Sequence, residues 1–484
     1  MKEISGRSPA RRAEATLLAV RAASASGGHG LYLGHDAHGW RQAEPQHAVL
    51  ALGPPRSGKT SSLVIPNVLC AGGAVVATST KPDVLDATLA ARSSVGDCQL
   101  FDPTASVSDR TGVHRLRWSP LPACTSWRTA LGTARSLVLV AQGGTVHSSG
   151  SHWAERAQSL LAPLLHAAAV DGADMRTVLG WVDRRRALPA QQILSGPDAA
   201  IARDLLDGIC TTDERELSGI WSTASGALGG FRSEEALAAT CAPDFDPDAF
   251  VSSTGTVYIA APAHHQALVA PLVVGFLDDV RRAAYRRSAD GRDPGGPPVV
   301  LALDELANIA PLPELPAMIS EGGGQGLVTL ACFQDLSQAR HRWPVQADGF
   351  PSLFGTTVVL PGIGDVRTLE TLSLLAGEHE LVTRSVNRGR VLSDHPLSDL
   401  LTGGRTQVGE QLSTQWRRRL PADEISRGLS GHALSFDRRN EPGWIPLAPA
   451  HGVDPWRTLT TASHELAVTR GRPLPTDRSV GLGR

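Results

Sequence analysis

Gly53-Pro54-Pro55-Arg56-Ser57-Gly58-Lys59-Thr60 decides how the rest of the chain is read. Two glycines bracket four free positions and are followed by Lys and Thr, the pattern of a phosphate-binding loop. Ala48-Val49-Leu50-Ala51-Leu52 reads as a short buried strand feeding the loop, and Ser61-Ser62-Leu63-Val64-Ile65 as the start of a helix leaving it. Strand, glycine loop and helix N-terminus together make a concavity of backbone N–H groups that suits phosphates. Gly53, Pro54, Pro55, Arg56, Ser57, Gly58, Lys59, Thr60 and Ser61 are therefore the expected nucleotide-binding residues. Lys59 would reach the β- and γ-phosphates, and Thr60 would offer its hydroxyl to Mg²⁺. A glycine-rich turn that matches by accident would not need a strand before it and a helix after it. Only three of the 46 lysines and arginines are lysines, at positions 2, 59 and 81. A chain that otherwise uses arginine keeps a compact ammonium in the loop, where a planar fork is no substitute.

The 484 residues suffice for two or three domains, or for one large domain with an insertion. With 42% hydrophobic and 19% charged residues the chain has an ordinary globular composition. A net charge of −2 excludes a globally basic nucleic-acid binder, so any such surface is local. Cys70, Cys98, Cys124, Cys210, Cys241 and Cys332 stand far apart with no C-x-x-C pair, which points to reduced thiols rather than zinc or redox chemistry. Residues 1–30 lack the apolar core of a signal peptide. No run reaches the roughly 18 apolar residues of a membrane span.

Residues 1–30 hold a short helical pattern from Arg11 to Ala22, then Ser24-Ala25-Ser26-Gly27-Gly28, which reads as a flexible linker. Residues 31–119 alternate strand and helix. Gly73 to Thr78 and Asp97 to Phe101 are apolar runs of strand length, and this alternation implies a parallel sheet covered on both faces. Residues 120–250 change character: Ala130–Ala141, Trp153–Val170, Arg176–Arg186, Ala199–Ile209 and Glu214–Leu228 all carry helical periodicity. An inserted all-α domain is expected there. The alternation returns over 251–440, with strands at Thr256–Ala260, Val299–Leu303, Gly326–Phe333, Thr356–Leu360 and His432–Phe436. Residues 441–484 read as a Pro-rich tail.

Val299-Val300-Leu301-Ala302-Leu303 is apolar throughout, as a strand buried on both faces must be, and Asp304-Glu305 emerges at its C-terminal end. Open α/β sheets place ligands at that edge. Asp304 would hold Mg²⁺ and Glu305 would act as general base on the attacking water. Gln334 ends the next strand, where an amide can bond both the water and a γ-phosphate oxygen. The alternative, a polar cap on a loop, explains the same position less fully. Lys81 is equally a cation near the site or a solvated turn residue. No G-x-S-x-G elbow appears, and the 16 histidines are dispersed, so a Ser/His/Asp triad has no support. Arg184-Arg185-Arg186, Arg281-Arg282, Arg286-Arg287 and Arg417-Arg418-Arg419 read first as solvated faces and only second as DNA contacts.

Taken together, the phosphate loop, Thr78-Ser79-Thr80-Lys81, Phe101-Asp102-Pro103 and Trp118-Ser119-Pro120-Leu121 resemble the type IV coupling proteins. So do Leu303-Asp304-Glu305-Leu306-Ala307-Asn308-Ile309, the glycine-rich Glu321 to Gly326, Gln334-Asp335-Leu336-Ser337-Gln338 and Gly377-Glu378. These are the TraG/TraD-like ATPases of conjugation and type IV secretion, a family with a TraM-recognition domain. The resemblance covers roughly 30–440. It implies an α/β fold, a RecA-like P-loop NTPase core with a mostly parallel sheet and an inserted all-α domain. It implies ATP and Mg²⁺ as cofactors, Lys59, Glu305 and Gln334 as catalytic residues, and a homo-hexamer with DNA, expected single-stranded and read without sequence preference, through its channel. It assigns the all-α domain to relaxase or relaxosome recognition. Members usually begin with transmembrane helices. Their lack here leads to the expectation of a cytoplasmic protein, peripheral at the inner face of the membrane, with a separate anchoring or channel protein as partner. Arg340, Arg342 and Arg367 are the arginine-finger candidates. Two further readings of the same residues stay open: an FtsK/HerA-like DNA translocase outside conjugation, and a nucleotide-gated docking adaptor with little turnover.

Overall fold

A computed structural model describes residues 9–36, 39–143, 148–291, 295–391, 405–437, 439 and 441–461. Its strands, in chain order, are β1 (Tyr32–Asp36), β2 (Gly39–Gln42), β3 (Val49–Leu52), β4 (Val75–Ser79), β5 (Cys98–Phe101), β6 (His114–Arg115) and β7 (Thr256–Ala260). They continue as β8 (Val299–Leu303), β9 (Leu327–Phe333), β10 (Thr356–Val359), β11 (Glu378–Val391), β12 (Arg405–Arg418), β13 (His432–Phe436) and β14 (Pro442–Pro446). Ten of them form one sheet in the order β14-β13-β10-β3-β9-β8-β4-β7-β5-β6. Every neighbouring pair from β10 to β6 is parallel, while β13 and β14 add antiparallel at one edge.

The inner strands are mainly apolar because both faces are covered, with a few buried threonines among the aliphatic residues. VLAL, TVYIA and VVLAL are buried from end to end. Alternate residues nevertheless sort into two cores, as the two-residue period of a strand demands. Leu50, Leu52, Val76, Leu301 and Leu303 face a core shared with the helices that follow β6. Val49, Ala51, Val75, Val300 and Ala302 face a second core with the N-terminal helix and with residues 442–461.

Between Arg115 and Thr256 the described residues form helices and no strand. Trp127–Ala141, Ser148–Val170, Ala200–Cys210 and Glu214–Ala227 are the longest. They are not hung on a flexible stalk. The Trp118 ring meets Phe101 and Phe276 edge-on, with centroids 6.1 Å away in each case. Its Nε1 donates to Asp279 Oδ2 at 2.8 Å, and Ser136 Oγ donates to the adjacent Asp278 Oδ2 at 2.8 Å. Both aspartates lie in helix Gln266–Ala289, which packs on the sheet. Burial pushes the Asp279 carboxyl upward, and the Trp118 and Arg282 donors pull against that shift.

Three stretches differ from the sequence-based expectation. Residues 24–26, read as linker, close the helix Pro9–Ser26, which buries Leu17 and Val20 against the second core. Residues 441–461 are not a loose tail. β14 extends the sheet, and the buried Trp456 ring meets Tyr32 edge-on and Trp40 at a tilt, with centroids 5.0 and 5.3 Å away. Residues 462–484 of that tail and residues 1–8 of the N-terminal segment lie outside the described residues. Third, β11 and β12 pair antiparallel from Glu378↔Arg418 to Val391↔Arg405 as a separate two-stranded ribbon. Val382, Leu412 and Trp416 are exposed on it, and among its residues whose burial is described none is buried, so no core marks the ribbon in the sequence.

Arg92 is fully buried and, among the described residues, meets no carboxylate; it clamps backbone instead. Its guanidinium donates to the carbonyls of Ala71, Gly73 and Thr254 at 2.9, 3.1 and 2.8 Å and to Thr256 Oγ1 at 2.7 Å. These groups lie where β4 and β7 begin. Burial pulls the Arg92 pKa down to about 10. Arg92→Met should strand those acceptors away from water and lower stability by about 3 kcal/mol or more. A drop in the thermal denaturation midpoint of the purified chain measures this, and an unchanged midpoint would refute the clamp.

Candidate functional site at the C-terminal edge of the sheet

Parallel strands deliver their C-terminal ends to one edge. The loop Gly53–Thr60 leaves β3 there, Asp304-Glu305 leaves β8, and Gln334 leaves β9. β9 lies between the other two, pairing Leu52 with Phe333 on one side and Leu303 with Ala331 on the other. Gln334 thus stands between the loop and the acid pair, and its N–H is held by Gln338 Oε1 at 2.9 Å.

The loop is shaped by its backbone. Gly53 N donates to Phe333 O at 3.2 Å, continuing the ladder by one residue. A Cβ on Gly53 would lie 2.8 Å from the Leu360 Cβ, so only glycine lets the strand end pack this closely against the loop. Gly58 has φ 101°, in the region that disfavours side chains. Lys59 is buried, and its ammonium donates to the carbonyl of Gly53 and, at 3.2 Å, to that of Pro54. A cation held over the loop by carbonyls is poised to exchange them for phosphate oxygens.

The helix after the loop opens with a π-turn, Thr60–Val64, in which the Ile65 N–H reaches Thr60 O. Pro66 has no N–H to continue the pattern, which would strand the Ser61 carbonyl. Ala450 N, from the C-terminal segment, donates to it at 2.8 Å. Asn67, one turn on, accepts from Tyr32 N at 2.8 Å and donates to Tyr32 O at 2.9 Å. Both ends of the described chain therefore brace the helix that carries Thr60.

Thr60 Oγ1 donates to Asp304 Oδ2 at 2.5 Å, and Thr78 Oγ1 donates to the Asp304 carbonyl at 2.9 Å. Burial pushes the Asp304 carboxyl up; the Thr60 hydroxyl opposes this, and the Glu305 charge adds to it. A buried carboxylate beside a hydroxyl, at the mouth of a phosphate loop, is a set of hard oxygen donors that suits Mg²⁺. Thr60 and Asp304 would hold the ion there. Glu305 takes a left-handed conformation, φ 51° and ψ 43°, ahead of the one-turn helix Leu306–Ile309. Its N–H donates to Asp304 Oδ1 at 3.1 Å, and its Oε2 accepts from Asn308 Nδ2 at 3.4 Å.

The other candidates sit farther out. Lys81 is exposed at the end of β4, three strand spacings or roughly 14 Å from β3, with its N–H on Ser79 Oγ at 3.3 Å. Arg340 bridges Asp348 and Asp365 at 2.9 Å each, and these partners raise its pKa against burial. Arg342 donates to the carbonyls of Ala307 and Gly143. Arg367 pairs with Asp348 and is 63% exposed, the most accessible of the three. Sequence reasoning overlooked Thr78 and Asn308 as supports of the acid pair. Both lay within the quoted motifs, but nothing in a motif says which side chain turns toward a carboxylate.

Lys59→Ala removes the cation from the loop and should weaken nucleotide binding by roughly ten- to a hundredfold, the worth of a charged hydrogen bond. Titration with a fluorescent ADP measures this, and wild-type affinity would remove the loop from the site.

No curated protein matches the sequence. Among solved structures, the unbound monoclinic form of the bacterial conjugative coupling protein TrwBdeltaN70 superposes with TM-score 0.62 at 19% identity, covering 84% of this chain and 85% of that one. The plasmid coupling protein TrwB in complex with ADP and Mg²⁺ gives 0.59 at 18%, over 84% and 85%. The same protein with a non-hydrolysable ATP analogue gives 0.61 at 18%, over 84% and 86%. At such identities the likeness speaks for the fold, a RecA-like P-loop core. The sequence over residues 11–394 matches the family described as Type IV secretory system Conjugative DNA transfer. That match runs from the N-terminal helix through the loop, the inserted helices and the acid pair, and the chain belongs to this family of conjugative DNA transfer proteins.

Proposed function

We propose that this protein is an ATP-hydrolysing coupling protein that brings DNA, or a DNA–relaxase complex, to a type IV secretion channel. The observation that carries the reading is the 2.5 Å contact between Thr60 of the phosphate loop and Asp304 of the acid strand in a chain of this family. TrwB was solved with ADP and Mg²⁺ and with a non-hydrolysable ATP analogue, which supports the same cofactors here. Thr60 and Asp304 would hold Mg²⁺, which would supply positive charge to the phosphates. Lys59 moves from the loop carbonyls to the phosphates. Glu305, next to Asp304 at the end of the acid strand, takes the proton of the attacking water, and Gln334 orients that water from the strand between.

The charge that develops on the γ-phosphate calls for a second cation. Arg340 is committed to two carboxylates of its own subunit, and Arg342 to two carbonyls. Arg367 is the candidate that could serve a neighbour, because an exposed ion pair costs little to break. This favours a ring, read as a hexamer, in which each site is completed by the next subunit. DNA contact is then confined to the channel, as the net charge of −2 requires, and phosphates rather than base edges are read. The inserted helices are the proposed contact for relaxase or relaxosome. Among the described residues no helix is long and apolar enough to cross a membrane. A separate channel protein at the membrane is the proposed docking partner.

Glu305→Gln should keep ATP affinity and slow hydrolysis by roughly 10²- to 10⁴-fold, the usual worth of a general base. Equal turnover in this variant and wild type would remove Glu305 from catalysis. The hydrolysis rate per subunit should rise with protein concentration and with single-stranded DNA, and the DNA effect should fade as salt is raised. Measured over a dilution series, a rate flat in concentration and indifferent to DNA would replace the ring motor by a docking adaptor.

A further inference from the structure

Arg342 closes the helix Leu336–Arg342, which leaves β9 just past Gln334. Its Nε donates to the Ala307 carbonyl at 2.9 Å and its Nη1 to the Gly143 carbonyl at 3.0 Å. The two acceptors belong to different parts of the chain. Ala307 stands two residues past Glu305, in the one-turn helix Leu306–Ile309. Gly143 follows Trp127–Ala141, the first long helix inserted after β6. With φ 77° it ends that helix, and its N–H returns to Val140 O at 3.0 Å.

The chemistry of the position asks for arginine. The last four carbonyls of a helix have no partner inside it, and in a helix of one turn that includes nearly every carbonyl. Helix C-termini are also the negative ends of their dipoles. A guanidinium has separate donors in a rigid fork and can serve two such ends at once, whereas an ammonium meets them as one point. Glu305 depends on the same short helix. Its left-handed backbone, φ 51°, persists only where the surroundings hold it, and its carboxylate is touched by Asn308 from that turn. Leu306, Ala307 and Ile309 are buried, so the turn moves as a unit with what it packs on.

We infer that Arg342 is a positioning residue for Glu305: it ties the one-turn helix behind this residue to the end of the first inserted helix, so a shift of the inserted helices shifts the base. The inference rests on the reading of Glu305 as general base. It makes the insertion a part of the catalytic geometry, with Arg342 as the polar link, beside the shared apolar core, through which a ligand on the inserted helices acts on hydrolysis.

The test is ATP hydrolysis by the full chain in four forms: wild type, Arg342→Ala, Glu305→Gln and the double variant. Arg342→Ala should lower kcat by roughly ten- to a hundredfold, the cost of a misplaced catalytic group, with KM changed less than about twofold. Single-turnover rates of the double variant should equal those of Glu305→Gln, because Arg342 acts through a base already gone. Arg342→Lys should recover only part of the loss. Wild-type kcat in Arg342→Ala, or a loss that adds in the double variant, would overturn the inference and leave the role of Glu305 standing. Wild-type turnover in Glu305→Gln would overturn the reading beneath it instead. If Arg342→Ala fails to bind ADP, Arg342→Lys carries the same comparison, with wild-type kcat or an additive loss again the overturning results.

Discussion

The Thr60 hydroxyl meets the Asp304 carboxylate across an intervening strand, and most of the site follows from that meeting. β3 and β8 are not neighbours; β9 lies between them. Strands in a sheet are about 4.8 Å apart, so the loop and the acid pair start near 10 Å from each other. The loop must arch over the end of β9 to close the gap, and it does so through a strand extension at Gly53 and a glycine at Gly58 with positive φ. Gln334, at the end of β9, is enclosed by that arch. Its place beside both halves is a consequence of strand order rather than a separate feature.

An arch of this kind needs a fixed foot. The π-turn after Lys59 and the proline at position 66 leave one carbonyl over, and the C-terminal segment answers it through Ala450. Asn67 fixes the next turn to β1 through its side-chain amide. The Tyr32, Trp40 and Trp456 rings then join the two segments to each other. The loop stays open to a ligand while the helix behind it is braced by parts of the chain more than 400 residues apart in sequence, as in the Trp456 Nε1 to Tyr32 Oη contact with a separation of 424.

On the opposite face the sheet shares its core with the inserted helices. Trp118, Asp278 and Asp279 fasten them, and a single cluster of buried side chains runs from Leu50 through Phe276 to Ala134. Helices that pack into the same core as the catalytic strands have little freedom to move as an independent body. Arg342 lies at the seam and supplies a polar connection where the apolar packing ends.

By itself the amino-acid sequence determined the parallel sheet, the loop, the acid pair and the helical stretch. Fully buried strands are apolar runs, and a phosphate loop is constrained locally by glycine and lysine. Strands 256–260 and 299–303 could be read to the residue for that reason. The tertiary structure alone decided what depends on partners distant in sequence. Residues 24–26 read locally as linker and 441–461 as tail, yet the helix that 24–26 close and the C-terminal segment share a core built from both ends of the chain. The described side chains of the β11–β12 ribbon pack into no core, so its pairing is set by the two strands alone. The arginines after Gln334 carry the same charge and similar spacing. Which are spent on carboxylates, which on helix ends and which lie exposed was settled only by the packing of chain segments around them.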